Sequence, residues 1–254
     1  MVLEKLTEKW PLVPIVPHIS QDSSSSTCLE QAKGWLDHCV YRHGNDCRAD
    51  QKVIPPTRLI AVGKDQDLHL YETYSGTFDV VYTYAALSYC WGSTRSFTTT
   101  LSTYQERKIG FKLEELPKTC RDAVVVARAL GIPFLWIDSL CIIQDSPEDW
   151  EKEAAKMCDV YSNAHITLAG LDSPDSDTGL FVGRHERRTV SLPVQLNDGS
   201  EANVYVRAHY DMTRLGFFHA GYSKDLAQGM RSLQGVLETR GWTLQELTLS
   251  PRIL

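Results

Sequence analysis

Alternating helix and strand patterns between residues 117 and 170 constrain the fold of this chain more than any other feature. The stretch "LPKTCRDAVVVARALG" predicts a helix, because Thr119 and Asp122 form a capping-box pattern and Gly131 is typical of the position just after a helix. "PFLWI" is an uninterrupted apolar run, typical of a strand covered on both faces, and "AHITLAG" predicts a second strand. Helices and strands that alternate with short connections predict an α/β fold with a parallel sheet.

The segment between these two strands, "DSPEDWEKEAAKMCDVY", predicts one helix. Ser146 is a favourable N-cap, Pro147 suits the first helical position, and acidic residues in the first turn complement the helix dipole. The predicted apolar stripe of this helix consists of Trp150, Ala154, Met157 and Tyr161.

The remainder of the chain predicts a single domain with added hairpins. Residues 1–27 are predicted to be a tail and a flexible connector, because they end in the polar, serine-rich segment "SQDSSSST"; the domain is expected over residues 28–254. Further helices are predicted near residues 29–40 and 242–247, and "YTYAALSY" predicts another strand. Two hairpins are predicted, one from "TRLIAVG" and "LHLYETY", the other from "RTVSLPVQL" and "EANVYVRA".

Charge and hydropathy exclude several classes of function. A net charge of −6 and an isoelectric point near 5.8 argue against binding to nucleic acid or to an anionic membrane. The most apolar stretch is interrupted by Arg128 and by residues 131–133, so no membrane span is expected. The first residues lack the apolar block of a signal peptide, and seven cysteines, an odd number, favour reduced thiols. These features predict a cytoplasmic protein.

Polar and aromatic side chains follow two of the predicted strands. They are Ser88, Tyr89 and Trp91 after the first, and Asp138, Ser139 and Cys141 after the second. Ligands bind beyond the carboxyl ends of the strands in open parallel sheets, so these residues are expected to meet at a cleft. Two interpretations stay open for Asp138, which either contacts a substrate or binds the backbone of the following loop. Trp91 and Gly92 form either a stacking platform or a packed indole beside a turn.

Two further chemistries are compatible with the cysteines. Cys141 is a candidate nucleophile with His165 as its base, the alternative being a buried, inert thiol. The spacing C-x3-H-x3-C offers a candidate Zn²⁺ site, the alternative being packed thiols beside a solvated histidine. The residues of this candidate metal site are Cys28, Cys39, His43 and Cys47.

Glu246 is the remaining candidate for chemistry. It lies four residues after Trp242, so the two share a face of a predicted helix. An indole beside a carboxylate reduces its solvation and raises its pKa. The alternative is a structural ion pair between Glu246 and either Arg240 or Arg252.

Taken together, "ALSYCWG", the stretch from "LPKTC" to "EAAKM", "VYSNAHITLAG" and "RGWTLQELTLSPRIL" resemble the fungal heterokaryon incompatibility (HET) domain. The resemblance covers most of the chain, with core motifs over residues 82–170 and 240–254. It implies a protein of fungal non-self recognition whose domain triggers cell death, with an upstream sensor and self-association in the active state.

The HET domain is in turn remotely similar to TIR domains, which have a flavodoxin-like, mainly parallel sheet flanked by helices. Several TIR branches cleave NAD⁺ with a helical glutamate. "WTLQEL" has the W-x-x-x-E-L form of that segment, so the resemblance implies that Glu246 is catalytic, although Thr243 stands where the TIR segment has Cys. NAD⁺ would be the substrate and no cofactor or metal would be required.

The implied substrate-binding residues are Ser88, Tyr89, Trp91, Gly92, Arg95, Asp138, Ser139, Cys141 and Trp242. Arg95 and the backbone of "GSTRS" would meet the pyrophosphate, and Trp91 or Trp242 would stack on a ring. The alternative function is a non-enzymatic death-signalling scaffold that binds a downstream partner.

Overall fold

The computed structural model describes residues 20, 22–43, 47, 55–63, 67–73, 81–93, 97–181, 189–195, 199–207 and 243–254. Its helices are α1 (Ser26–Arg42), α2 (Tyr104–Ile109), α3 (Lys118–Leu130), α4 (Asp138–Cys141), α5 (Pro147–Ala154), α6 (Met157–Ser162) and α7 (Thr243–Leu249). Its strands are β1 (Arg58–Ala61), β2 (Asp67–Glu72), β3 (Tyr84–Ser88), β4 (Phe111–Lys112), β5 (Phe134–Trp136), β6 (Ile166–Ala169), β7 (Thr189–Gln195) and β8 (Glu201–Arg207). Among these residues no helix combines the length and hydrophobicity that a membrane span requires.

The main sheet has six strands in the order β4-β2-β1-β5-β3-β6. β3 pairs in parallel with both β5 and β6, as the alternating pattern predicts, so the α/β prediction is confirmed. The prediction of a mainly parallel sheet is wrong, because β1 is antiparallel to β5 and to β2, and β2 is antiparallel to β4. Since a hairpin joins antiparallel strands, a β1–β2 hairpin added beside β5 makes the sheet mixed. β7 and β8 form the second predicted hairpin as a separate two-stranded sheet.

β3 lies at the centre of the parallel part, and all five of its residues are buried. The helix α6 anchors it through two tyrosines: the Tyr84 hydroxyl donates to the carbonyl of Val160 at 2.6 Å, and the Tyr161 hydroxyl donates to the carbonyl of Leu87 at 3.2 Å. Trp136 of β5 packs edge-on against Tyr161, with ring centroids 5.7 Å apart. The apolar pattern of β3 therefore reflects burial on both faces.

A buried arginine connects the β1–β2 hairpin to the parallel part of the sheet. Arg58 of β1 is 4% exposed, and its Nε donates to the carbonyl of Cys141 at 2.6 Å. Its Nη2 pairs with Asp149 of α5 at 2.5 Å, and the same carboxylate oxygen accepts from the N–H of Ile143. The buried charge is thus both paired and hydrogen-bonded, as burial of a guanidinium requires.

The last described residues, 250–254, cover the outer edge of β6. Backbone hydrogen bonds of 2.8 to 2.9 Å join Thr167 and Ala169 to Arg252 and Leu254, with Thr167 and Ile253 in a parallel bridge. An edge strand with unpaired backbone groups can pair with another chain and so promote aggregation. The pairing with residues 250–254 gives these groups of β6 hydrogen-bond partners within the chain.

Two predicted helix boundaries are wrong. The N-cap of α3 is Pro117, and Thr119 lies inside the helix, fully buried, with its hydroxyl donating to the carbonyl of Asp175. Asp122 accepts from the backbone N–H of Leu180 at 2.8 Å, so both side chains serve a tertiary contact instead of the predicted capping box. At α1, Ser25 is the N-cap and accepts from the N–H of Cys28, so the described end of the predicted connector belongs to the helix.

The single helix predicted after Ser146 is divided into α5 and α6. The predicted cap is confirmed, since Ser146 accepts from the N–H of Asp149 and Pro147 follows. The predicted apolar stripe is wrong at Trp150, which is 52% exposed. The buried residue of α5 is Glu153, whose carboxylate accepts a hydrogen bond from the Thr57 hydroxyl at 2.6 Å. The covered face of the helix is therefore the face that carries Glu153 and not the face that carries Trp150.

The C-cap of α3 offers a stability test with a matched control. Gly131 has φ +77°, the left-handed conformation that costs other residues about 1–2 kcal/mol, so Gly131→Ala should lower the free energy of unfolding by about that amount. Gly34 lies inside α1, where an added Cβ would meet no other part of the protein within 4 Å, so Gly34→Ala should raise the free energy by about 0.5–1 kcal/mol. Urea denaturation of both variants measures this, and equal shifts of the same sign would contradict the assigned helix boundary.

Candidate functional site

The strand order reverses direction at β3, beside the carboxyl ends of β3 and β6. Among the three parallel strands, the chain passes from β3 to β5 on one side and then returns past β3 to β6 on the other. Such a reversal of strand order is a topological switch point, the place where open α/β sheets bind ligands. Ser88 is the last residue of β3 and pairs with Ala169, the last residue of β6.

Ser88 and Glu246 meet at this point. The Ser88 hydroxyl donates a short hydrogen bond to a carboxylate oxygen of Glu246, although the two residues lie 158 positions apart in the chain. Ser88 is 1% exposed and Glu246 3% exposed. The structure therefore places the predicted helical glutamate beside a predicted strand-end hydroxyl, in a setting from which bulk water is largely excluded.

Two hydroxyls that the sequence analysis missed hold the Glu246 backbone in position. Ser250 donates to the carbonyl of Glu246 at 2.5 Å, and its hydroxyl lies 2.6 Å from that of Thr167 on β6. Ser250 follows Glu246 by four residues, just after α7, and a serine hydroxyl at that spacing can reach the carbonyl one turn earlier, so the sequence held a signal for the first contact. The second depends on sheet register, which places Thr167 two residues before Ala169 on the same face as Ser88.

Tyr89 and Ser139 form a second, separate pair. Consecutive residues of an extended chain point to opposite faces, so Tyr89 diverges from Ser88. The Tyr89 hydroxyl donates to the Ser139 hydroxyl at 3.0 Å, and Cys120 of α3 lies beside it. Burial, reinforced by the charge of Asp138, raises the pKa of Tyr89 well above its usual value, so this hydroxyl stays protonated.

Trp91 and Asp138 form the third pair. The indole Nε1 of Trp91 donates to both carboxylate oxygens of Asp138, at 3.0 and 2.8 Å, and the N–H of Ser139 donates to one of them at 2.7 Å. Of the two interpretations of Asp138, the structure bears out the backbone-binding one. Because both side chains are only half-buried, a contact with a ligand is compatible with the same geometry.

Gly92 makes room for a loop of the same chain. Its φ is +75°, and an added Cβ would lie 2.6 Å from the Cβ of Asp175. Asp175 in turn accepts hydrogen bonds from Asp177 and Thr178, and the bonds to Thr178 are the main cause that lowers its pKa. The lack of a side chain at Gly92 therefore accommodates the loop after β6.

Cys141 lies in the core. It is 1% exposed, and burial raises the pKa of its thiol to about 12, so the thiolate that a nucleophile requires is scarce at neutral pH. This placement favours the inert interpretation and leaves the Cys141 side chain inaccessible to a ligand at the strand ends.

The candidate metal ligands are brought together only in part. Cys39, His43 and Cys47 have their ligand atoms within 4.8 Å of one another. Cys28 is wrong as a fourth ligand, because eleven residues of one helix separate it from Cys39, a rise of about 16 Å. Arg252 does not pair with Glu246 but donates to Cys39, to the carbonyl of His165 and to the carbonyl of Cys47.

Arg95, Trp242 and Arg240 lie outside the described residues. A shallow depression of about 390 Å³ lies away from Glu246, at the start of α5. Its lining consists of Gln144, Asp145, Ser146, Pro147, Trp150 and Glu151. It adjoins Asp138, whose carbonyl accepts from the side chain of Gln144 at 3.1 Å.

One comparison with known proteins identifies a family. A family profile described as heterokaryon incompatibility protein (HET) matches residues 84–246, more than half of the chain. The match begins at the first residue of β3 and ends at Glu246, so it spans both partners of the Ser88–Glu246 contact. No curated protein and no solved structure matches the chain significantly.

The burial of the cysteines predicts a pattern of thiol reactivity. At pH 8, a pKa near 12 leaves about one thiol in ten thousand ionised, so Cys120 and Cys141 should react with iodoacetamide at least about a thousandfold more slowly than exposed Cys158. Mass spectrometry of the folded, pulse-labelled chain locates the modified residues, with urea-unfolded chain as the control. Equal labelling of Cys141 and Cys158 in folded protein would restore Cys141 as a candidate nucleophile.

Proposed function

The chain belongs to the heterokaryon incompatibility (HET) family, and on this basis we propose that it is a cell-death effector that hydrolyses NAD⁺ to ADP-ribose and nicotinamide. Membership implies a role in heterokaryon incompatibility. The observation that carries the enzymatic proposal is the contact between Glu246 and Ser88 at the switch point of the sheet.

The strand order supports a nucleotide ligand. The order β5-β3-β6 is that of the first three strands in the flavodoxin-like 2-1-3 arrangement, in which a nucleotide cofactor binds between the first and third strands. β3 and β6 hold those positions here, and Ser88 ends β3. This correspondence, together with the W-x-x-x-E-L form of "WTLQEL", supports a TIR-like arrangement in which the antiparallel strands are additions.

The proposed reaction needs one carboxylate and water. The bond between the nicotinamide nitrogen and ribose C1 breaks, its electron pair stays on nicotinamide, and positive charge develops on the ribose. Glu246 binds the ribose hydroxyls and stabilises that charge, water adds to C1, and one proton is released to solvent. Ser88 is a positioning residue, since its hydroxyl holds the carboxylate at the strand end.

The remaining site residues would bind the rest of the dinucleotide. Trp91, held through its indole N–H by Asp138, would stack on a ring, and Trp242 is a second candidate for that contact. Arg95 would meet the pyrophosphate. The reaction needs no cofactor or metal, and we expect it to depend on self-association driven by an upstream sensor.

A non-enzymatic scaffold is the second candidate, and two observations favour it. Glu246 is 3% exposed and already bound to Ser88, which is the condition of a structural carboxylate. The described depression lies instead beside Trp150, an indole that is 52% exposed and suited to contact with a partner. Under this candidate the strand-end residues brace the fold and α5 lies in the binding surface.

Nicotinamide release distinguishes the two candidates. The chain, concentrated to promote self-association, is incubated with NAD⁺, and nicotinamide is followed by chromatography. Glu246→Gln keeps the size and much of the hydrogen bonding but removes the charge, so turnover should fall by at least about 100-fold. Ser88→Ala should lower kcat about 10-fold with little change in KM, the effect of one hydrogen bond to a charged group.

Glu153→Gln is the matched control for loss of a buried carboxylate. Glu153 is 1% exposed, and its partners are Thr57, just before β1, and Lys156, three residues further along the chain. Turnover by this variant should equal that of the unmodified chain when circular dichroism confirms equal folding. Failure to release nicotinamide at any concentration, from protein that still kills cells when expressed, would reject the enzymatic proposal in favour of the scaffold.

A further inference from the structure

Three side chains with metal-binding atoms converge where α1 ends. Cys39 lies in the last turn of α1, His43 is its C-cap, and Cys47 follows four residues later. The Cys47 Sγ lies 3.4 Å from His43 Nδ1, and all three ligand atoms lie within 4.8 Å of one another. None of the three is fully buried, so an ion can reach them from solvent.

The spacing of these atoms is close to that of a tetrahedral zinc centre. At the tetrahedral angle, Zn–S bonds of about 2.3 Å and Zn–N bonds of about 2.1 Å place a sulfur and a nitrogen ligand about 3.6 Å apart, and two sulfur ligands about 3.8 Å apart. The observed Cys47–His43 separation of 3.4 Å is already close to the first value. Since all three ligand atoms already lie within 4.8 Å of one another, side-chain rotations that shorten a separation by about 1 Å complete this geometry.

We propose that Cys39, His43 and Cys47 bind one Zn²⁺ ion, with the fourth tetrahedral position left to water or another donor. Two thiolates and an imidazole select a borderline-soft ion such as Zn²⁺ over Mg²⁺ or Ca²⁺, which prefer oxygen ligands. Binding displaces the thiol protons to solvent and forms two Zn–S bonds and one Zn–N bond, with no change in oxidation state. The ion is separate from the proposed NAD⁺ chemistry.

Arg252 gives this centre an outer shell and a structural role. Its Nε donates to Cys39 Sγ at 3.3 Å and its Nη2 donates to the carbonyl of Cys47, so it helps to orient two of the ligand residues. The same guanidinium donates to the carbonyl of His165 at 2.9 Å, just before β6. A bound ion would therefore fasten the end of α1 to the segment that follows α7 and covers the edge of the sheet.

Zinc binding by the full chain tests the proposal directly. Protein freed of metal with a chelator and kept reduced is titrated with ZnCl₂ against a chromophoric zinc indicator. We expect one ion per chain, an affinity that falls at least about 100-fold in Cys39→Ser and in Cys47→Ser, and an unchanged affinity in Cys28→Ser, which alters the same helix outside the cluster. Cobalt(II) added in place of zinc should give strong thiolate charge-transfer absorption in the unmodified chain and in Cys28→Ser, and weaker absorption in the other two variants.

A histidine pair keeps the test decisive if the cysteine variants fold poorly. His43 is exposed, and the ring of His38 packs edge-on against it at 5.7 Å without joining the cluster. His43→Ala should lower zinc affinity at least about 10-fold and His38→Ala should not. Binding of less than one ion per about five chains, or equal binding by His43→Ala and His38→Ala, would overturn the proposal and leave a cysteine–histidine hydrogen bond. This experiment measures bound zinc, so a failure of the zinc proposal can be told apart from a failure of the chain to release nicotinamide.

Discussion

The complete burial of β3 is the constraint on which the rest of the structure depends. A strand covered on both faces and flanked by parallel partners must have helices above and below the sheet, and its polar residues can appear only where it ends. Tyr84 and Tyr161 meet the polar part of this constraint: their rings lie in the core, and each hydroxyl donates a hydrogen bond to a backbone carbonyl. The same constraint delivers Ser88 to the switch point, because it is the last buried residue of the strand.

Local signals in the sequence were sufficient for the parallel half of the sheet and insufficient for its mixed half. The cap at Ser146, the C-terminal glycine of α3 and the apolar run of β5 depend on neighbouring residues, and each is where the sequence indicates. The position of the β1–β2 hairpin depends on Arg58, whose partners lie 83 and 91 residues away. Contacts between residues so far apart in the chain produce no periodic pattern in the sequence. The antiparallel pairing of β1 with β5 could therefore not be predicted.

The sequence was sufficient to predict which residues of the candidate site follow the strand ends, but not how their side chains are arranged. Sequence order places Ser88 and Tyr89 together, whereas the alternation of an extended chain sends one toward Glu246 and the other toward Ser139. The described members of the set named from the resemblance therefore do not all face the same way. Cys141 was misplaced for a related reason: a four-residue helix follows β5, and its turn directs the thiol into the core.

The separation of Ser88 from Glu246 has a consequence for when the site comes into existence. A contact that closes 158 residues costs more chain entropy than any local element, so it forms only after the intervening strands and helices have reduced that loop. During synthesis the hydroxyl emerges from the ribosome long before the carboxylate does, and at about 5–20 residues per second the delay is on the order of ten seconds or more. No nascent or C-terminally truncated chain that lacks α7 carries the pair. The Ser88–Glu246 contact therefore forms only in a chain whose segments from β3 to α7 have all been made and folded.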